Sequence, residues 1–274
     1  MLGRLGAALA AAAVLAAAAS ADDPPRPAEP AQPDVTLFES SARLRLNWSE
    51  IAFRGNRPKA WDHVVSPEVR ANIRVLAGLF EGKAEIGFAA DHFAHFSANN
   101  VEVLRGEVQL GLNTGDWSYL VEWKGRDVFE PGVTDFLVGL NTYDVRVRHR
   151  FTAGLFDGLP VALVQASAAA GYVAATPELF AKTFAEFEVE ALQRLGGGFT
   201  LMLAPKLELS DYRDFASQDR KDALLSLRIV PAYNFGGGLT LSLEGQASIA
   251  LSTLATKTGE TWELTPILRL QKSL

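Results

Sequence analysis

The sequence predicts an all-β fold, an antiparallel transmembrane β-barrel of about twelve strands, on three observations. Segments of roughly ten residues alternate apolar and polar side chains along most of the chain, as the strand period of two demands. The connections between segments are alternately short and long, and aromatic residues gather at segment ends on the apolar parity. Each segment thus has one greasy and one polar face. Short turns on one side, long loops on the other and two aromatic girdles are the pattern of a barrel whose greasy face meets lipid.

The first 21 residues stand apart from the fold. Arg4 supplies a positive start, Leu5 to Ala18 is an Ala/Leu run, and Ala19-Ser20-Ala21 is a small-residue cleavage pattern before Asp22. These features predict a cleaved secretory signal peptide over 1–21 and export across the inner membrane. Pro24, Pro25, Pro27, Pro30 and Pro33 then make 22–35 an extended periplasmic leader. The barrel is expected over 36–274.

The composition narrows the function classes. There is no cysteine, hence no lipidated N-terminus, disulfide or thiolate metal site. A formal charge of −6 argues against nucleic acid as a partner. After residue 21 no run of 18 apolar residues occurs, so helical membrane spans are not expected. Yet mean hydropathy is +0.08 in a chain that is 21% charged, which strands carrying half a hydrophobic signal each would reconcile.

The segments follow in order. Leu44, Leu46 and Trp48 alternate with Arg43, Arg45 and Asn47; Val69, Ala71, Ile73 and Val75 alternate with Glu68, Arg70, Asn72 and Arg74. A tight turn is expected at Glu81-Gly82, then Ala84, Ile86 and Phe88 against Lys83 and Glu85. Val108, Leu110 and Leu112 lead to a turn at 113–116 and to Trp117, Tyr119, Val121 and Trp123. Tyr143, Val145 and Val147 oppose Asp144, Arg146, Arg148 and Arg150, and an Ala-rich, weakly patterned stretch runs from Val161 to Val173. Ala185, Phe187 and Val189 oppose Glu186, Glu188 and Glu190. The two triple-glycine turns at 196–198 and 236–238 introduce the clearest hairpin, Ala223 to Leu251, and Trp262 to Leu270 closes the chain.

Long, polar connections are expected near 49–66, 91–100, 126–139, 174–181, 211–221 and 252–260. Thr176-Pro177-Glu178 is also a good helix start, with Phe180, Phe184 and Phe187 at helical spacing; the clean alternation of Glu186 to Glu190 favours a strand. Pro205, Pro231 and Pro266 fall inside expected strands on the lipid parity, although proline removes a ladder donor. A soluble β-sandwich or barrel with its greasy face inward would also alternate, but it explains neither the loop lengths nor the aromatic girdles.

At the level of these patterns, residues 36–274 resemble the outer-membrane β-barrel superfamily of Gram-negative bacteria, small twelve-stranded porins in particular. The chain ends Gln271-Lys272-Ser273-Leu274 rather than in the aromatic residue common in such barrels. The resemblance implies a bacterial outer-membrane location, membrane lipid as the surroundings and a small polar solute as cargo.

If the polar parity is luminal, Arg43, Arg45, Arg70, Arg74, Arg146, Arg148 and Arg150 form a basic wall, joined by Arg269 across the closure. Glu186, Glu188, Glu190 and Glu208 form an acidic one. Such walls would guide ions and orient polar solutes, anionic ones above all. The Arg146–Arg150 and Glu186–Glu190 ladders are also separated by one strand carrying Ser167, Ala169 and Gly171. Long side chains could meet over that low strand and fill the lumen with salt bridges.

A second reading is a lipid-modifying hydrolase, because Asp91-His92-Phe93-Ala94-His95-Phe96-Ser97 places a serine near two histidines in an expected external loop. The third is a non-conducting barrel that anchors or exports a periplasmic or surface protein. No nucleotide, protease, metal or calcium motif is present, so no catalytic residue, metal site or cofactor is assigned.

Overall fold

A computed structural model of the chain describes residues 35–51, 60–95, 97–155, 158–215, 218–254 and 257–273. The expected signal peptide and nearly all of the proline-rich leader lie outside the described residues, as do the side chains of Arg45, Trp48 and Trp262. The described chain is one closed ring of twelve strands. They are β1 (Val35–Ile51), β2 (Ala60–Ala77), β3 (Phe80–Phe93), β4 (Val101–Thr114), β5 (Trp117–Phe129) and β6 (Phe136–Ala153). The second half comprises β7 (Ala162–Thr176), β8 (Lys182–Gly196), β9 (Phe199–Phe215), β10 (Gln218–Gly236), β11 (Leu239–Ser252) and β12 (Gly259–Ser273). Each strand pairs antiparallel with its neighbour in sequence, and β1 closes on β12 with Arg43 opposite Arg269.

The packing is inside out relative to a water-soluble domain. Val69, Leu110 and Val121 are 58%, 63% and 61% exposed, whereas Glu68, Gln109 and Glu122 on the other parity are 2%, 4% and 4% exposed. Alternation therefore sends the greasy face outward and the polar face into the lumen, which sets aside the soluble barrel. No helix among the described residues is long and apolar enough to cross a membrane. The outward face is a band between two sets of exposed aromatics. Phe80, Trp117, Phe151, Phe199 and Phe235 stand at the short-turn end, and Phe88, Tyr143 and Tyr172 toward the other. Tyr143 and Phe151 share β6; that separation is about 27 Å along a strand and about 20 Å along the axis at a tilt near 40°, close to the band of a membrane barrel.

Four prolines interrupt strands, and each is accommodated in one way. At Pro205 the β9–β10 register continues, with Leu227 opposite. On the other side the β8–β9 ladder passes from Glu188–Lys206 directly to Ala191–Leu203. Pro231 keeps its partner Leu201 on β9 while the β10–β11 ladder jumps from Ile229–Gly245 to Ala232–Ser242. Pro266 and Pro67 repeat the pattern on β12 and β2. The missing N–H costs pairing toward one neighbour only, without the register shift of a bulge.

Element boundaries differ from expectation at one turn and along the long connections, where 60–66, 126–129 and 136–139 are strand, while the strand favoured over 182–196 is present. The β2–β3 turn is at Gly78-Leu79, with Gly78 at φ +59°, and not at Glu81-Gly82, both of which are strand residues. The long connection expected at 211–221 is mostly strand, since β9 runs to Phe215 and β10 starts at Gln218. Residues 182–196 are strand throughout, and the helix-start signal at 176–178 yields only a single 3-10 turn, Glu178–Phe180. Strands of 13 to 19 residues exceed the ten or so that span a bilayer, so polar strand ends project beyond the band where loops were expected.

Candidate functional site in the barrel lumen

Among the described residues three arginines of the lumen reach over a strand to a carboxylate. Arg146 on β6 reaches Glu186 on β8, Nη1 to Oε1 3.0 Å, above Ala169 of β7, which faces both. Arg228 on β10 reaches Glu190 on β8 at 2.9 Å across β9, where Ala204 stands opposite Arg228. Arg105 on β4 reaches Glu68 on β2 at 3.3 Å across β3, at Gly87 and Ala89. Two strand spacings are about 9–10 Å, within reach of paired long side chains only when the strand between carries nothing tall. A Cβ at Gly87 would stand 3.1 Å from Cγ of Arg70, so even an alanine there would crowd that side chain.

These bridges belong to longer chains of charge. Glu186 also holds Lys206 at 2.6 Å, Lys206 approaches Glu208 at 3.5 Å, and Glu208 pairs with Lys182. Lys182 donates in turn to the hydroxyl of Ser210. On the opposite side Arg70 donates to Glu68 and Glu85, and Lys83 joins Glu85 to Glu107 at 3.1 and 2.9 Å. Arg74 pairs with Glu81 at 2.9 Å, and Glu81 also accepts from Asn113. Arg150 donates to Gln165.

The basic and acidic walls are consequently not segregated. Between the arginines of β1–β2 and those of β6 lie Glu81, Glu85, Glu107 and Glu122, and every carboxylate of the 186–190 ladder has a cation within 4 Å. The acidic partners on β3, β4 and β5 escaped the sequence reading because each sits next to a lysine or a glycine in an ordinary alternating strand, with nothing to mark it. Their signal was the register, which pairs Lys83 with Gln109, and Glu85 with Glu107, on one face.

What remains after this pairing is informative. Arg43, Arg148 and Arg269 have no carboxylate within 4 Å and no hydrogen bond among the described residues, and Nε of Arg43 is buried without a partner. All three line one cavity of about 530 Å³ toward the short-turn half of the barrel. Its walls come from β12 and β1 through β6, so it runs from one side of the ring to the diametrically opposite side. Eight cationic side chains and five carboxylates line it, an excess of positive charge inside a chain whose net charge is −6. Twelve strands 4.8 Å apart and tilted near 40° enclose a backbone diameter of about 24 Å.

Among the described residues, no hydrogen bond joins Ser97 to the loop histidines. Strand alternation at the end of β3 sends Asp91 and His92 to opposite faces. Ser97 opens a 3-10 turn. His95 lies beside His63, ring centroids 6.0 Å apart. No group of three metal-ligating side chains occurs among the described residues. His149 stacks between Trp117 and Phe151 on the outward face, at 4.3 and 5.5 Å, as part of the short-turn girdle.

No protein-family model and no curated protein sequence matches the chain. By backbone course it is similar to an outer-membrane channel from Pseudomonas putida F1, with a TM-score of 0.53 and 10% identity over 91% of this chain and 100% of that one. It is more distantly similar to the translocator domain of the autotransporter NalP from Neisseria meningitidis, with a TM-score of 0.46 and 9% identity over 97% and 95% of the two chains. OmpT, an outer membrane protein of Vibrio cholerae, gives 0.42 and 10% over 89% and 99%. The chain has the fold of the outer-membrane β-barrels; at these identities the likeness extends to the fold alone.

Proposed function

We propose that the chain is an outer-membrane channel that passes small polar solutes and favours anionic ones. The observation that carries this reading is the excess of cationic side chains around the luminal cavity, three of them arginines with neither a carboxylate within 4 Å nor a hydrogen bond among the described residues. Fixed charge in a narrow, partly dehydrated lumen concentrates counter-ions and repels co-ions. The pore-lining residues assigned to this task are Arg43, Arg70, Arg74, Arg146, Arg148 and Arg150, with Arg45 on the same parity of β1. Glu186, Glu188, Glu190 and Glu208 hold the cations of the far wall in place and shape the path rather than repel solute from it.

A second reading has an observation of its own. The chain of pairs Arg146–Glu186–Lys206–Glu208–Lys182 ties β6, β8 and β9 together inside the lumen, across β7, as a filled, non-conducting barrel that anchors or exports a partner protein would require. Single-channel recording on the refolded mature barrel (residues 22–274) in a planar bilayer separates the two. Steady conductance, with a reversal potential shifted toward that of the anion in a salt gradient, is expected. Insertion without conductance would discard the channel in favour of the filled barrel.

A further inference from the structure

Arg43 and Arg269 are directly opposed cross-strand neighbours on β1 and β12, facing the same lumen. Like charges at that spacing repel, and each such pair destabilises the sheet unless something of opposite sign is shared. Elsewhere in this lumen that problem is solved locally. Arg70 has Glu68 and Glu85, Arg146 has Glu186, and Arg74 has Glu81. At the seam it is not: Arg43 and Arg269 have no carboxylate within 4 Å among the described residues, and Glu39, the one acid on the same strand face that lines the cavity, pairs with neither. Nε of Arg43 is moreover buried and unbonded. Leaving a charged donor buried and unpaired is costly, and two planar guanidinium forks side by side suit an oxyanion gripped by both.

Arg148 is the third guanidinium lining this cavity without a partner among the described residues, and it faces the cavity from β6, six strands from β12 and five from β1 around a ring of twelve. With a backbone diameter of about 24 Å and arginine side chains reaching about 7 Å from each wall, about 10 Å separates the two ends. We propose that the seam pair Arg43–Arg269, with Arg148 opposite, is a binding site for a multivalent oxyanion, a small polar molecule bearing two or more carboxylate or phosphate groups. One anionic group is seated between the two seam forks and a second reaches toward Arg148. The proposal rests on the channel reading only for the route by which the anion arrives.

Isothermal titration of the refolded barrel in detergent, at low salt, with citrate, pyrophosphate and acetate as probes tests this directly. Citrate or pyrophosphate is expected to bind at least tenfold more tightly than acetate. The double variant Arg43→Gln/Arg269→Gln should lose at least tenfold of that affinity, and Arg148→Gln should reduce the preference for multivalent over monovalent probe. Should the glutamine pair fail to refold, Arg43→Lys/Arg269→Lys keeps both charges without the planar forks, and the same probes should again bind several-fold more weakly. Citrate and pyrophosphate binding no more tightly than acetate, or both seam variants binding like the parent, would overturn the site. A barrel that binds the probes yet passes no current would end the channel reading and leave the site standing. A barrel that conducts with anion preference yet binds no probe would do the reverse.

Discussion

Alanine does unusual work in this lumen. Ala169 and Ala204 carry no charge, yet each sets whether an arginine can meet a glutamate two strands away. Ala169→Leu raises a side chain under the Arg146–Glu186 bridge and should sever it. Arg146 and Glu186 are each 9% exposed along their side chains, so separating them leaves charges with little water. The overpacking alone costs about 1–3 kcal/mol, and breaking a buried pair costs about 3–5 kcal/mol. Ala170→Leu, one residue on and facing outward, should leave stability unchanged within about 0.5 kcal/mol. Urea titration of the barrel refolded in phospholipid vesicles reads both, and equal effects would sink the bridging account. The first of these bridges was legible in the sequence, because Ser167, Ala169 and Gly171 stand between two conspicuous charge ladders. The bridge over Ala204 was not, since Arg228 is an isolated charge in a hairpin that otherwise looks only greasy and small, and nothing local announces its partner 38 residues away.

The strands carry their irregularities in pairs of lost contacts, and this has a dynamic consequence. Beside Pro67, Pro205, Pro231 and Pro266 one ladder lapses over two residue pairs while the other holds. Backbone amides at a lapse lack the protection of their neighbours and open at lower free energy than the flanking ladder. Hydrogen–deuterium exchange should therefore run faster in peptides over 189–190 and 244 than over 185–188 and 246–249. Pro205→Val, which supplies a donor, should slow exchange at 189–190; unchanged exchange there would detach the lapse from the proline. Strand number and facing followed from alternation alone, because a period of two leaves little freedom. Boundaries did not. Ala77-Gly78-Leu79-Phe80-Glu81-Gly82 offers two glycines four residues apart, and only the register tells that Gly78 turns the chain while Gly82 lies in a strand against Leu110. The 211–221 stretch looked like loop because it is polar on both faces, which is also what a strand beyond the bilayer looks like.

At the scale of the whole molecule, one inversion decides where the barrel can live: charged groups inside, large apolar side chains outside, aromatics at both rims. The two faces should then answer to opposite rules. Val121 faces outward in mid-band, opposite Leu110 and Val145, and is 61% exposed. Ser226 faces the lumen from β10, opposite Lys206 and Ser248. Val121→Arg would place a guanidinium near the bilayer midplane, at a cost of about 2–4 kcal/mol. Ser226→Arg adds the same group to a wet, polar wall and should cost less than about 1 kcal/mol, the scale of a solvated charge. Reversible folding into phosphatidylcholine vesicles, followed by tryptophan fluorescence across a denaturant series, measures both on one scale. In detergent micelles the gap between the variants should narrow as water reaches the outer face more freely. A Val121→Arg variant as stable in vesicles as Ser226→Arg would mean that the exposed apolar band does not meet hydrocarbon, and the barrel would need another partner to cover it.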